Sequence, residues 1–349
     1  MMTAMNASSM SKSMSSNSHT SHRNRAMAKC IDRSVVASTK KVRKMISSSA
    51  TTSTADAAFT DGNNDEVDGN GEKKRAIVFG ATGGVGQLCV ASLVANDRYE
   101  KVYAFCRTRK SGEEKLRESN DSSTNEKKKL RIVQCDLRDS SDIENAMKKS
   151  GLVDVVGDSS IDVICCLGTT AFPSQRWKEN NGPEETDDIA TKNVIKTCGT
   201  LLKLKLRRFV LISSVGTTRT DKMPYVILNL FGVLKYKRKS EQFLESRESN
   251  VNEYTIIRPG RLTDGPYTSY DLNTLLKATS SEERRVEIKK GDSFDPQETS
   301  RIAVAECAVQ SLQSNECANK SFVIGTSEGF GGPKTDPNQW LSIFKNAAL

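Results

Sequence analysis

The chain has 349 residues, 36% hydrophobic and 27% charged, and its longest nearly unbroken apolar run, Tyr225 to Leu234, is far shorter than the roughly 18 to 20 residues that cross a bilayer, so no integral membrane segment is expected. The formal charge is +9, but nine Lys or Arg and a single acid, Asp32, fall within residues 1–50. The remainder is close to neutral and lacks the basic footprint of a nucleic-acid binder, and with both histidines, His19 and His22, near the N-terminus it offers no Ser-His-Asp, Cys-His or histidine-ligated metal chemistry.

Residues 1–73 are rich in Ser, Thr, Asn and Ala, show no apolar periodicity, and pass from basic to acidic at Asp61-Gly-Asn-Asn-Asp-Glu. A disordered tail is expected. Its first fifty residues have the Arg/Lys- and Ser-rich, acid-poor composition of an organelle transit peptide, and no apolar h-region for a secretory signal. An ordinary solvated tail is the alternative. The nine cysteines are scattered, odd in number and without a C-x-x-C pair, which reads as reduced thiols serving as small core hydrophobes.

Order is expected over residues 74–349. Strand-length apolar runs begin at Arg75-Ala-Ile-Val-Phe-Gly and recur at Lys101 to Cys106, Leu130 to Gln134, Ile161 to Leu167, Arg208 to Ser213, Glu253 to Ile257 and Ser321 to Ile324. Helix-compatible stretches lie between them at Val85 to Ala95, Ser141 to Lys149, Glu185 to Leu204, Lys235 to Ser246 and Arg301 to Leu312. Continuous rather than alternating apolar strands imply burial on both faces. The expected architecture is therefore α/β, a doubly wound parallel sheet, with Lys110 to Lys129 as a solvated loop and residues 261–295 as a small cap after the sixth strand.

The first strand runs directly into Gly80-Ala-Thr-Gly-Gly-Val-Gly86, which opens the first helix. Gly80 suits the tight turn, Gly83 lets a diphosphate approach bare backbone, and Gly86 lets the helix sit close. Gly80, Thr82, Gly83, Gly84, Val85 and Gly86 are thus expected to cradle a nucleotide's phosphates against the helix N-terminus. After the second strand, Phe105-Cys106-Arg107-Thr108-Arg109 offers no carboxylate for a free ribose but offers Arg107 and Arg109 for a 2′-phosphate, so the expected cofactor is NADP(H). Asp136 and Leu137, after the third strand, suit the adenine side; alternatively Asp136 caps the following helix.

Together with Cys135-Asp-Leu137, Cys166-Leu-Gly-Thr-Thr170, Leu211-Ile-Ser-Ser-Val-Gly216 and Tyr254-Thr-Ile-Ile-Arg-Pro-Gly260, these motifs resemble the atypical short-chain dehydrogenase/reductases, and among them the NmrA-like, NADP-binding Rossmann proteins of plant and algal plastids. Asn229-Leu-Phe-Gly-Val-Leu-Lys-Tyr236 and the run Arg258 to Asp271 are especially similar to that plastid group. The resemblance implies an NAD(P)-binding Rossmann fold, Gly168 and Thr169 beside the cofactor's ribose and nicotinamide, Ser213 and Ser214 at the family's catalytic serine, and Pro259 and Gly260 against the nicotinamide. It also implies a plastid location, where the tail's composition alone leaves mitochondrion or cytoplasm as alternatives.

The family's Tyr-x-x-x-Lys pair is broken. Tyr236 is followed four residues later by Ser240; in the other register Lys237 takes the lysine position and Val233 stands where the tyrosine should be. Lys237 has two readings, a cofactor-ribose ligand or an i,i+4 partner of Glu241, and Tyr225 and Tyr236 are outside candidates for a proton donor. Without the usual acid, an acceptor whose product anion is delocalised, a quinone or enone, is the expected substrate, with Ser213, Ser214 and Thr169 donating to its oxygen. The competing expectation is a non-catalytic NADP(H)-binding redox sensor or scaffold with a protein assembly partner.

Overall fold

The computed structural model describes residues 74–113, 116, 129–153, 160–263, 284–296, 298–328 and 337–349. The expected tail, most of the polar segment 110–129 and residues 264–283 of the expected cap lie outside them.

Eight strands form one sheet in the order β3-β2-β1-β4-β5-β6-β10-β8. Their bounds are β1 Lys74–Phe79, β2 Tyr99–Cys106, β3 Leu130–Gln134, β4 Ile161–Cys165, β5 Leu206–Ile212, β6 Tyr254–Pro259, β8 Arg284–Lys290 and β10 Lys320–Glu328, while β7 (Leu262–Thr263) and β9 (Thr299–Ser300) make a separate small ladder. The first seven of that order run parallel, as continuous apolar burial demands. The helices are α1 Gly84–Ala95, α2 Ser140–Lys149, α3 Thr191–Leu201, α4 Tyr225–Leu228, α5 Val233–Glu245, α6 Arg301–Ser311 and α7 Pro337–Asn346.

Alternate residues of β1 divide the core. Ala76 and Val78 pack with Cys89 and Leu93 of α1, Val304 and Ala308 of α6 and Trp340 of α7. Ile77 and Phe79 pack with Ile143 of α2, Val194 and Ile195 of α3 and Leu244 of α5 on the other face. A sheet covered by helices on both sides is the doubly wound fold, and its order reverses between β1 and β4, which opens a crevice at the strands' carboxyl ends.

The structure departs from expectation in three places. Within the expected cap, β8 pairs antiparallel with β10; its Arg-Arg-Val-Glu-Ile-Lys-Lys sequence buries only Ile288 among the residues whose burial is described, so an edge strand guarded by charge reads as a solvated loop. The single helix expected from Glu185 to Leu204 begins instead as a π-helical stretch, Glu184–Ala190, before α3. Finally, α7 adds a C-terminal amphipathic helix through Trp340 and Phe344, both buried.

Glu306 of α6 is a cost of this packing. It is 7% exposed, its Oε2 has no partner, and burial pushes its carboxyl up to about 7. A carboxyl whose folded value exceeds its unfolded one stabilises most at low pH, so stability should fall as pH rises from the ordinary glutamate range through about 7. In thermal melts across that range, Glu306→Gln is expected to flatten the slope and raise the melting temperature at pH 8.

Candidate functional site

Gly80 leaves β1 with φ +72, and a Cβ there would stand 2.9 Å from the carbonyl oxygen of Cys166. A Cβ on Gly86 would lie 2.2 Å from the carbonyl of Gly80, so the closest constraint on Gly86 is the turn itself rather than the sheet. The Gly83 N–H donates to Gly80 O at 2.9 Å, Gln87 Nε2 braces the loop on Thr82 O at 2.8 Å, and Val85 is buried. No side chain caps α1 and no acid stands in its first turn, Gly84 to Gly86. The positive end of a twelve-residue helix, fronted by bare backbone, suits a diphosphate.

At the end of β2, Arg107 is exposed and its Nη1 donates to Asn181 Oδ1 at 2.6 Å. Its described hydrogen-bond partner is a neutral amide, which a dianion outcompetes. The end of β3 differs from expectation. The Asp136 carboxylate is gripped by Arg138, Nε at 2.9 Å and Nη2 at 2.5 Å, and that hydrogen bonding holds its pKa below the ordinary range. Arg138 Nη1 in turn donates to the carbonyls of Glu179 and Asn180, at 2.7 and 3.0 Å. The cap of α2 is Asp139, whose Oδ1 accepts from Ser141 N at 2.8 Å, and Leu137 is buried in the core.

The centre of the arrangement lies at the end of β4. Lys237 Nζ of α5 sits 2.8 Å from Asp187 Oδ1 and donates to Leu167 O at 3.3 Å. Thr169 donates its hydroxyl to Asp187 Oδ2 at 2.5 Å, and a Cβ on Gly168 would stand 3.0 Å from Lys237 Nζ. Asp187 is 1% exposed, and the Thr169 N–H, at 3.3 Å from Oδ2, joins these two donors around a carboxylate that burial would otherwise leave uncompensated. The π-helical stretch buries adjacent acids together: Asp187 meets Thr169 and Lys237, while Asp188 pairs with Lys192 at 2.6 Å and Lys239 at 3.4 Å. Lys237 therefore pairs with Asp187 and not with Glu241.

Glu241 is fully buried and holds a separate network. Arg258 reaches it through Nε at 2.9 Å and Nη2 at 3.0 Å, Arg238 Nη1 at 2.9 Å, and the Ser213 hydroxyl donates to it at 2.6 Å. Ser213 is thus committed inward. Ser214 is half-buried and makes a 3.2 Å bond to the neighbouring Val215 carbonyl, a local contact easily exchanged. Thr169's proton is also committed, to Asp187, leaving Ser214 as the hydroxyl best placed to turn toward a ligand.

At the end of β6, Pro259 accepts from Val215 N at 3.0 Å, and Gly260 donates to Thr299 Oγ1 at 2.9 Å with no room for a Cβ beside Pro296 O, 2.6 Å from its position. The Tyr225 hydroxyl is bound to Asp295, and burial together with that bond raises its pKa, making it a poor acid. Tyr236 faces Glu184. Among the described residues no tyrosine shares the Lys237 site, and buried Val233 stands one turn before that lysine.

Above Thr170, which accepts from Trp177 Nε1 at 3.2 Å, Trp177 and Phe172 each meet the Phe231 ring edge-on, with centroids 5.7 and 6.2 Å away. Val226, Ile227 and Leu230 continue this exposed apolar surface. The apolar run Tyr225 to Leu234 is therefore divided, with Tyr225, Val233 and Leu234 in the core and the residues between largely exposed. No group of metal-ligating side chains occurs among the described residues, and no described helix is long and apolar enough to cross a membrane.

Asp187, Arg138 and the aromatic group around Phe231 were not singled out by the sequence. Asp187 sits in Glu-Glu-Thr-Asp-Asp, which looks like a solvated helix start, and only the fold joins it to a lysine fifty positions later.

A family model described as NAD(P)H-binding matches residues 80–315. The chain is 33% identical over 219 residues to Protein TIC 62, chloroplastic, of Arabidopsis thaliana, a match taking in 60% of this chain and 31% of that protein. It is 34% identical over 189 residues to sanguinarine reductase of Eschscholzia californica, covering 52% of this chain and 60% of that one. The aligned part thus spans less than two thirds of either relative. Among solved structures, a putative NAD-dependent epimerase/dehydratase from Bacillus halodurans aligns with a TM-score of 0.53 at 20% identity, over 78% of this chain and 99% of that one. The oxidoreductase ylbE from Lactococcus lactis aligns at 0.50 and 17%, over 77% and 95%. These two show the fold.

Proposed function

Since the chain belongs to the NAD(P)H-binding family of Rossmann-fold proteins, we propose that it is an NADP(H)-dependent reductase of a small, planar, rather apolar acceptor such as a quinone or conjugated enone, acting in a plastid. The observation that carries the reductase reading is the Thr169–Asp187–Lys237 chain at the end of β4, beside the glycine loop, in which a buried carboxylate holds two partly exposed donors. An ammonium has three protons; Asp187 and Leu167 O take two, and the third is left for a ribose hydroxyl or a developing oxyanion. NADPH supplies the hydride when bound. Ser214 donates to the acceptor oxygen, and Phe172, Trp177 and Phe231 offer flat apolar surface to a flat substrate. The preference for the phosphorylated dinucleotide rests on Arg107. The tail's composition supports an organelle, and the choice of plastid rests on the chloroplastic name of the TIC 62 relatives.

A quinone reduced to its hydroquinone anion spreads the new charge over the ring, so the absent phenol matters less than it would for a simple ketone, where a positioned acid contributes about 10²- to 10⁴-fold. A panel of quinones, enones and simple ketones with NADPH is the test. Turnover is expected on the first two classes and not the third, and Ser214→Ala should lower kcat about tenfold to a hundredfold, as loss of one charge-assisted hydrogen bond. No NADPH oxidation across the panel would overturn the reductase reading. It would favour a non-catalytic redox-sensing or scaffold protein, which the buried valine one turn before Lys237, where the family's tyrosine would stand, supports.

A further inference from the structure

Cys89 and Cys166 lie with their sulfurs 4.0 Å apart, directly behind the glycine loop. Cys89 belongs to α1, whose first turn faces the crevice, and Cys166 follows β4, its carbonyl packed under Gly80 and its N–H bound to Phe79 O at 2.9 Å. Of the eight described cysteines, seven are buried and Cys166 alone is partly exposed. Two thiols in contact are the arrangement of an attacked and a resolving sulfur. We propose that Cys89 and Cys166 are a reversible thiol/disulfide site, oxidised by hydroperoxides and reduced by dithiols, that ties α1 to the end of β4.

The chemistry balances with hydrogen peroxide as the oxidant. The Cys166 sulfur attacks one peroxide oxygen, the O–O bond breaks, and water leaves with the thiol proton, giving a sulfenic acid. The Cys89 sulfur then attacks that sulfur, the S–O bond breaks, and a second water leaves. The two sulfurs have given up two electrons and two protons. A dithiol reverses this by two exchanges, itself ending as a disulfide. The hydrogen bond between the thiols, with burial, holds the Cys166 thiol well above its ordinary range, so little thiolate is present and oxidation is slow. The pair is suited to sustained oxidant exposure.

Closing 4.0 Å to the about 2.05 Å of a disulfide joins α1 covalently to the residue after β4, beneath the cradle. Resting here on the dinucleotide reading, the consequence is that the oxidised chain binds NADPH more weakly, on the order of tenfold, a coupling within the usual 5- to 150-fold range. The full chain, purified reduced, is treated with hydrogen peroxide, alkylated and peptide-mapped, and NADPH affinity is measured before oxidation, after it and after dithiothreitol.

The expected product is a Cys89–Cys166 linked peptide two hydrogens lighter than its parts, lost on reduction, with affinity falling and recovering in step. Cys89→Ala should abolish the link and leave Cys166 on the way to sulfinic acid. Both thiols remaining alkylatable after peroxide, or Cys166 linked to Cys30 instead, overturns the site. Because the link is mapped without any nucleotide, a reduced chain that fails to bind NADPH counts against the dinucleotide reading alone, and the crosslink is judged from the peptide map.

Discussion

Glu241→Ala is expected to destabilise the domain by about 3–5 kcal/mol, the range for leaving a buried charge without its partner. Arg258 is 2% exposed and places both Nε and Nη2 on Glu241, so removing the carboxylate strands a guanidinium deep between β6 and α5. Ser213 and Thr217 lose their acceptor in the same step. Against a typical total of about 5–15 kcal/mol, the loss is large. Chemical denaturation should show it as a lowered midpoint, and combining Glu241→Leu with Arg258→Met should recover most of it, since a buried ion pair adds little over packed apolar side chains. An unchanged midpoint for Glu241→Ala would mean that the network does not hold β5, β6 and α5 together. The network matters to function because Lys237 lies one turn upstream of Glu241 on α5, so the pin that fixes the helix also fixes the ammonium.

Lys237→Ala should lower turnover of any accepted quinone by at least about a hundredfold, and also destabilise, because it strips the buried Asp187 of its ion-pair partner. Asp187→Asn separates the two effects. The amide still accepts from Thr169 while the lysine loses its counter-charge, so stability should suffer less than in Lys237→Ala while kcat falls in both. Lys237→Arg is the control: it keeps charge but not the compact three-donor geometry, and should fold with little activity. Equal kcat in wild type and Asp187→Asn would show that Asp187 acts only in packing.

The fold was legible where one local signal sufficed. The run from Ala76 to Phe79 is apolar throughout because both sides are covered, and the glycines of the first turn stand where a Cβ would strike Gly80 or Cys166 carbonyls. The position of Arg107 just past β2 was legible for the same reason, being set by the strand before it. What the sequence concealed depends on distant partners. Glu241 looked like a helix-surface mate for Lys237, yet a buried arginine on the following strand captures it, and Lys237 turns to Asp187. Asp136 was read as an adenine partner or a helix cap, but the cap is Asp139, and the Asp136 carboxylate is paired with Arg138, two residues on. The β8 edge strand was hidden by its own charges, which protect an edge and resemble a loop.

The most direct test of the dinucleotide claim is equilibrium titration of the purified chain with NADPH and NADH, repeated on Arg107→Ala. Binding of NADPH at least about tenfold tighter than NADH is expected, as one or more charge-assisted hydrogen bonds to a 2′-phosphate are worth about 1.5–3 kcal/mol, and Arg107→Ala should erase the difference while leaving NADH affinity unchanged. Equal affinities in the wild type, or no binding of either dinucleotide, would contradict it.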